Sequence, residues 1–254
     1  MLAAGIDIGS RTIKLVVLDS DADRTVTFRK SETTYNPLDE CLRILDGSRW
    51  DLLIATGYGR GLVQKRLGCG TITEIQAHAL GAHKLFPEVR SVLDIGGQDT
   101  KAISLAEDGR VRKFEMNDRC AAGTGKFLEF MAAGFQMPVE RFGSFALQGK
   151  EGLTINSMCT VFAESEATSL MAQGNDPAAI ARALHVSVVK RSVSMLKRVS
   201  PNGLLVFSGG VARNRCIVEL MKQEISSDLL VPEEPDMVGA LGAALHAIGR
   251  SAAE

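Results

Sequence analysis

The sequence predicts an α/β protein of two lobes built by duplication, with a helical cysteine-bearing insert in the second lobe. Three observations predict it. Residues 7–14 read Asp-Ile-Gly-Ser-Arg-Thr-Ile-Lys and residues 94–101 read Asp-Ile-Gly-Gly-Gln-Asp-Thr-Lys, so Asp, Ile, Gly and Lys recur at an offset of 87. A buried strand running into a Gly turn at 52–60 is repeated at 204–214, at an offset of 152. The second copy therefore holds roughly 65 extra residues between hairpin and strand, and these contain Cys120 and Cys159.

Residues 3–7 form a short apolar strand that ends in Asp7, 15–18 continue as a second strand, and 19–24 turn. The charged stretch 19–34 carries no information on substrate. The later copy repeats the plan, with Leu105 matching Leu18 and Asp108 matching Asp21. In each copy a strand enters and Gly turns the backbone, so the turn's N–H groups make a concavity for an anion. The aspartate at the strand end suits a hydrated Mg²⁺. Two facing hairpins can clamp a nucleotide's phosphates from both sides. The double glycine Gly209-Gly210 offers a face with no side chain, suited to a flat adenosine.

Within the insert, 117–126 read Asn-Asp-Arg-Cys-Ala-Ala-Gly-Thr-Gly-Lys, ahead of a helix at 127–133. This arrangement aims the first helical N–H groups and the positive end of the dipole at Cys120, which favours a thiolate or a bound anion. A phosphate loop and a cysteine-ligated cluster both fit that geometry. Cys159 precedes another helix running to about residue 172, with Thr160 as its N-cap. Asp176-Pro177 caps and starts the next helix, whose stripe Ile180, Leu184, Val188, Val189 is core, with His185 structural beside it. Lys190, Arg191, Lys197 and Arg198 form a solvated basic face. In the final helix, Gly239 and Gly242 mark close approach by backbone or ligand, and residues 251–254 fray. The lobes divide at 1–88 and 89–254, the insert spans about 116–203, and the last helix, about 237–249, packs back on the first lobe.

The chain has 254 residues, is 45% hydrophobic and carries a net charge of −1 with no long basic run. That balance argues against nucleic acid or an anionic membrane as main partner. The apolar start at 1–8 has no basic flank and is too short to span a bilayer, so a cytoplasmic protein is expected. Five cysteines without a C-x-x-C pair argue against a disulfide framework, and Cys41, Cys69 and Cys216 read as small core residues.

The two Asp-Ile-Gly hairpins and 208–214, Ser-Gly-Gly-Val-Ala-Arg-Asn, resemble the superfamily of acetate and sugar kinases, heat-shock ATPases and actin. Residues 55–60, 94–99, 117–125 and 159–166 resemble, more narrowly, the activators of 2-hydroxyacyl-CoA dehydratases and the ATPase subunits of benzoyl-CoA reductase (the BadF/BadG/BcrA/BcrD ATPases). The resemblance covers nearly the whole chain. It implies an actin-like (ribonuclease H-like) ATPase lobe pair that binds ATP or ADP with Mg²⁺. Phosphates would meet Gly9, Ser10, Arg11, Thr12, Lys14, Gly96, Gly97, Gln98 and Lys101. Glu164, Gly209, Gly210, Asn214 and Gly239 would complete the nucleotide site. Asp7 and Asp94 would hold Mg²⁺ largely through water, and Gln98 or Asp99 would orient the attacking water. It further implies a homodimer with one [4Fe–4S] cluster on Cys120 and Cys159 of both chains. ATP-driven closure would pass a low-potential electron from ferredoxin or flavodoxin to an iron–sulfur dehydratase or reductase. Arg11 stands where the family carries a small hydroxyl residue, which leaves open whether it touches phosphate or turns to solvent. A small-molecule kinase of the same superfamily, a reductase of a double-cubane protein and a nucleotide sensor with core cysteines are the competing readings.

Overall fold

In the computed structural model, which describes residues 1–22, 24–157, 159–199, 203–225 and 227–251, the apolar start of the chain is β1 (Leu2–Ile8). Ala3, Ala4 and Ile6 are fully buried, so the strand is covered on both faces. It pairs antiparallel with β2 (Thr12–Asp19) and parallel with β4 (Leu52–Thr56). β3 (Arg24–Glu32) and β5 (Gly70–Thr71) complete the sheet in the order β3-β2-β1-β4-β5. Two helices flank it, α1 (Pro37–Leu45) and α2 (Arg60–Leu67). The next helix, α3 (Glu74–Leu85), starts at Thr73, whose hydroxyl accepts from the Gln76 amide.

The second sheet repeats the first. β6 (Val89–Ile95), β7 (Thr100–Leu105) and β8 (Val111–Asn117) form the meander, and β9 (Leu204–Ser208) and β10 (Leu229–Leu230) lie on the other side. The order β10-β9-β6-β7-β8 is the first sheet's order with each strand replaced by its copy. This is a duplicated two-lobe α/β architecture. Between β8 and β9 lie α4 (Gly125–Gly134), α5 (Val139–Ala146), α6 (Thr160–Ala172) and α7 (Pro177–Val199). α8 (Arg215–Glu224) follows β9, and α9 (Val238–Ser251) ends the described chain.

The two lobes are tied by an exchange of helices. α3 packs on β6, β7 and β8 of the second sheet, whereas α9 packs on β1, β2 and β4 of the first. The two helices also pack on each other, backbone to backbone. A Cβ at Gly81 would fall on the Val238 carbonyl, one at Gly242 on the Ala77 carbonyl, and one at Gly5 of β1 on the Ala240 carbonyl. At Gly242 the choice between backbone and ligand thus falls to tight helix packing.

Several local expectations change. The second strand begins at Thr12, three residues before the apolar run. The charged stretch is a strand, β3: it lies at a sheet edge, so its alternation is masked by charged side chains on both faces. α5 carries too short an apolar pattern to stand out, yet it buries Phe142 fully. Cys159 rather than Thr160 is the N-cap of α6. Asp176 does cap α7, accepting from the amides of Ala178 and Ala179 at 3.2 Å each. Arg198 of the expected basic face is bound by Glu115. Met158 of the cysteine motif and residues 252–254 of the expected frayed end lie outside the described residues. Among the described residues no helix is long and apolar enough to cross a membrane.

Candidate functional site

Each hairpin places an Asp opposite a Lys. Asp7 and Lys14 are cross-strand partners on β1 and β2, as Asp94 and Lys101 are on β6 and β7. Lys14 Nζ lies 3.1 Å from Asp7 Oδ2, and Lys101 Nζ lies 3.2 Å from Asp94 Oδ2. Lys101 is 1% exposed and also meets Asp99 Oδ2 at 2.7 Å and Glu74 Oε2 at 2.8 Å. Burial alone would lower the pKa of either ammonium. At Lys14 the charge of Asp7, with Asp94 and Asp236 beyond it, outweighs burial and raises it. At Lys101 the carboxylates of Asp94, Asp99 and Glu74 do the same. Asp94 would be pushed up by burial, but His78, Lys101 and the Ser208 hydroxyl hold it down to about 2. Asp99 is raised, because burial and the charge of Asp94 exceed the pull of Lys101.

The glycine turns face these pairs. The Gly9 amide donates to the Thr12 carbonyl at 3.1 Å, and the Gly96 amide to the Asp99 carbonyl at 2.9 Å. Gly57 and Gly209, matched by the duplication, both adopt left-handed backbone, at φ 89° and 87°. A Cβ would sit 2.5 Å from Asp7 Oδ1 at Gly57 and 2.8 Å from Asp94 Oδ1 at Gly209, so only glycine lets the turn approach the acid. Ser208 donates to Asp94 Oδ1 at 3.0 Å, while its counterpart Thr56, paired with Asp7 across β4 and β1, has a buried hydroxyl with no partner among the described residues. Gly239 opens α9 at the floor between the lobes, where a Cβ would lie 3.0 Å from His78 Nε2 and 3.4 Å from Asp7 Oδ2. Asp7 and Asp94 therefore border one cleft.

The chemistry of that cleft fits a nucleotide and a hydrated cation. Carboxylate oxygens and an orphan hydroxyl suit Mg²⁺ through water, since the lysines already occupy one oxygen of each acid. A Cβ at Gly210 would meet nothing within 4 Å, so the surface there is open to a flat ring. Exposed Gln98 lines a cavity of about 490 Å³ with Gly9, Ser10, Thr33, Tyr58 and Gly59. Of the two candidates for orienting water, Gln98 has no hydrogen bond among the described residues, whereas Asp99 is engaged by Lys101.

Other expected residues do different work. Asn214 is the N-cap of α8: its Oδ1 accepts from the Ile217 amide at 3.2 Å, and its amide nitrogen lies 3.1 Å from His185 Nε2. Glu164 is exposed on α6, with no hydrogen bond or ion pair among the described residues, and nothing ties it to the cleft. Arg11 neither faces solvent freely nor stands alone; its guanidinium pairs with Glu129 Oε1 on α4 at 2.8 Å. His185 is structural: fully buried against Phe142, donating to the Ala181 carbonyl and lowered by burial to about 4. His78, Glu74 and Glu129 escape sequence reasoning, because their partners lie in the other lobe and no local pattern singles them out.

The cysteine loop is folded by its own polar residues. The Asn117 side-chain amide donates to the carbonyls of Cys120 at 2.9 Å and Ala122 at 3.2 Å, and Thr100 donates to the Gly123 carbonyl at 2.8 Å. The first amides of α4 do not point at Cys120. Gly125 donates to the Gly96 carbonyl at 2.9 Å and Lys126 to the Gly97 carbonyl at 2.7 Å, because a four-residue turn separates the cysteine from the helix. The Gly96-Gly97 turn is thereby bolted to the helix that follows Cys120. Cys159 lies at the start of α6, and Glu166, about two helical turns on, accepts from the amides of Asn156 and Ser157 and braces the approach to it. Burial pushes the Cys41 and Cys216 thiols up to about 12, and raises Cys69 as well. Cys120 is half-buried and Cys159 exposed. Among the described residues of one chain, no group of three or more His, Cys, Asp or Glu side chains could hold a metal.

A family model described as the BadF/BadG/BcrA/BcrD ATPase family matches residues 4–247. The chain belongs to that family. The 2-hydroxyisocaproyl-CoA dehydratase activator of Clostridioides difficile is 40% identical, with 97% of this chain and 95% of that protein covered. A solved activator of the 2-hydroxyisocaproyl-CoA dehydratase from Clostridium difficile with bound ADPNP superposes with a TM-score of 0.90 at 37% identity, covering 100% of this chain and 96% of that one. Component A of the Acidaminococcus fermentans (R)-2-hydroxyglutaryl-CoA dehydratase gives a TM-score of 0.90 at 33% identity, with 99% of both chains covered. The chain is an ATPase of that family and shares the actin-like two-lobe fold of these solved activators.

Proposed function

We propose that this ATPase uses ATP to drive a low-potential electron into a partner iron–sulfur enzyme, a 2-hydroxyacyl-CoA dehydratase or a similar CoA-ester reductase. The observation that carries the reading is the pair of hydrogen bonds from the Gly125 and Lys126 amides to the Gly96 and Gly97 carbonyls. Any shift of the second phosphate loop on ATP binding or hydrolysis moves the start of α4, and with it the loop that holds Cys120.

In this reading ATP lies across the cleft with its phosphates between the two hairpins. The hairpin amides hold the phosphates, Lys14 pairs with Asp7, Lys101 helps keep Asp94 ionised, and Gln98 orients the attacking water. Cys41 and Cys216 are buried and Cys69 is half-buried with its thiol raised by burial, which leaves half-buried Cys120 and exposed Cys159 as the ligand pair of this reading. One chain offers too few ligands, and a two-fold axis would bring two such pairs together. A [4Fe–4S] cluster held there would supply a one-electron couple. Val161 and Phe162, 61% and 66% exposed beside Cys159, and Phe130 on α4 at 42%, give the seam between two copies an apolar border. Ferredoxin or flavodoxin would be the electron donor.

The test is anaerobic purification with iron analysis, for which about four irons per dimer are expected. Cys120→Ala should lose the iron and keep ATP binding. Full iron in that variant, or colourless parent protein under strict anaerobiosis, would overturn the ligand assignment.

A further inference from the structure

We propose that Arg11 exchanges Glu129 for the terminal phosphate of ATP, and that this exchange releases α4 from the first lobe. The inference rests on the reading above that the phosphates lie between the two hairpins. It adds the residue that tells ATP from ADP.

Arg11 belongs to the first hairpin, yet its guanidinium sits 2.8 Å from Glu129 Oε1, one turn into α4 of the second lobe. To get there its side chain passes directly over Gly97. A Cβ on Gly97 would coincide with the Arg11 stem and lie 3.3 Å from Ser10 Oγ. The two phosphate turns therefore meet at Arg11, and α4 is held from both sides. The second lobe grips its amides through Gly96 and Gly97, and the first lobe grips its carboxylate through Arg11.

The pair is built to break. Arg11 is 55% exposed and Glu129 23%, so water screens their attraction. Lys126 Nζ lies 3.4 Å from the other oxygen of Glu129, so the carboxylate keeps a cation when Arg11 leaves. A triphosphate brings several negative charges and planar sets of oxygens that a guanidinium binds in bidentate fashion, which a single carboxylate cannot match. ATP extends one phosphate further than ADP toward the place where the two turns meet. With ADP, Arg11 returns to Glu129, and the first lobe recovers its hold on α4.

The experiment measures Kd for ADPNP and for ADP, with Mg²⁺, by titration calorimetry on the full chain and on Arg11→Gln, Arg11→Lys, Glu129→Gln and the double variant. Arg11→Gln should weaken ADPNP about tenfold and ADP less than about twofold, and Arg11→Lys should restore part of the difference. Glu129→Gln should tighten ADPNP about threefold, because a competitor for Arg11 is gone, and that gain should vanish in the double variant. A residue that merely holds the fold would shift ADPNP and ADP alike. Equal losses for both nucleotides, an indifferent Arg11→Gln, or a Glu129→Gln gain that persists without Arg11 would each overturn the exchange. Parent protein that bound neither nucleotide would overturn the cleft reading and the exchange with it. Iron-free parent protein that shows the expected pattern would sink the cluster reading alone.

Discussion

Replacing Lys101 with Met removes the one cation shared by Asp94, Asp99 and Glu74 while keeping most of the side chain's volume. The lysine is 1% exposed, and the three carboxylates are 4%, 24% and 18% exposed. Taking one partner from a buried ion pair costs about 3–5 kcal/mol, because the remaining charge is left without water or counter-ion. An independent figure comes from Asp94, which is held at about 2 against 3.8 for the free group. A drop of that size stabilises the folded chain by roughly 2–3 kcal/mol at neutral pH. His78 and Ser208 supply part of it. We therefore expect Lys101→Met to lose about 3 kcal/mol near pH 7. The pH dependence has a definite sign. In the parent, the depressed pKa of Asp94 gives stability that is present above the free value of 3.8 and lost as pH falls toward about 2. In the variant Asp94 and Asp99 lose their shared cation, so their folded pKa values rise and the folded chain binds protons first. Its deficit should shrink as pH falls. Urea denaturation without nucleotide, near pH 7.5 and near pH 5.5, reads both effects. A deficit below about 1 kcal/mol at the higher pH, or one of equal size at both, would refute the electrostatic account.

Two further outcomes follow from packing and from thiol burial. Gly242→Ala should destabilise the chain by about 1–3 kcal/mol, since its Cβ would occupy the place of the Ala77 carbonyl where α9 crosses α3; an unchanged urea midpoint would refute that crossing. In metal-free native protein near pH 8, Cys159 and Cys120 should react with a disulfide reagent well before Cys41 and Cys216, whose thiols stay protonated up to about 12, and urea should make all five equivalent; peptide mapping that found Cys41 or Cys216 labelled first would contradict the burial.

Much of the cleft was readable before any fold was known. The Asp-Ile-Gly repeats marked Asp7 and Asp94, Lys14 and Lys101 as matched residues, and the register of the hairpins then set each acid opposite its lysine. The glycines at 57 and 209 marked turns, which the structure shows to be left-handed. Asp176 announced a helix start, and His185 was correctly set aside. Where the reading failed, the partner was distant. Cys120 looked like the focus of a helix N-terminus, but the α4 amides were claimed by Gly96 and Gly97, some thirty residues back. Asn214 also caps the helix that begins immediately after it, a role the sequence reading did not name.

The sequence alone determined the duplication, the strand–turn–strand units, the recurrence of Asp and Lys in both hairpins and the separation of the cysteine-bearing insert from the repeated scaffold. Each of these is written in neighbours along the chain, through periodicity, glycine turns and cross-strand register. Tertiary structure alone decided that α3 crosses to the second sheet while α9 packs on the first, as expected of the last helix, that His78 lies against Asp94 near Asp7, and that Arg11 reaches Glu129. Those contacts depend on how one lobe lies against the other. That placement is fixed by backbone approaching backbone at Gly5, Gly81 and Gly242, where the absence of a side chain says only that something comes close, and not what.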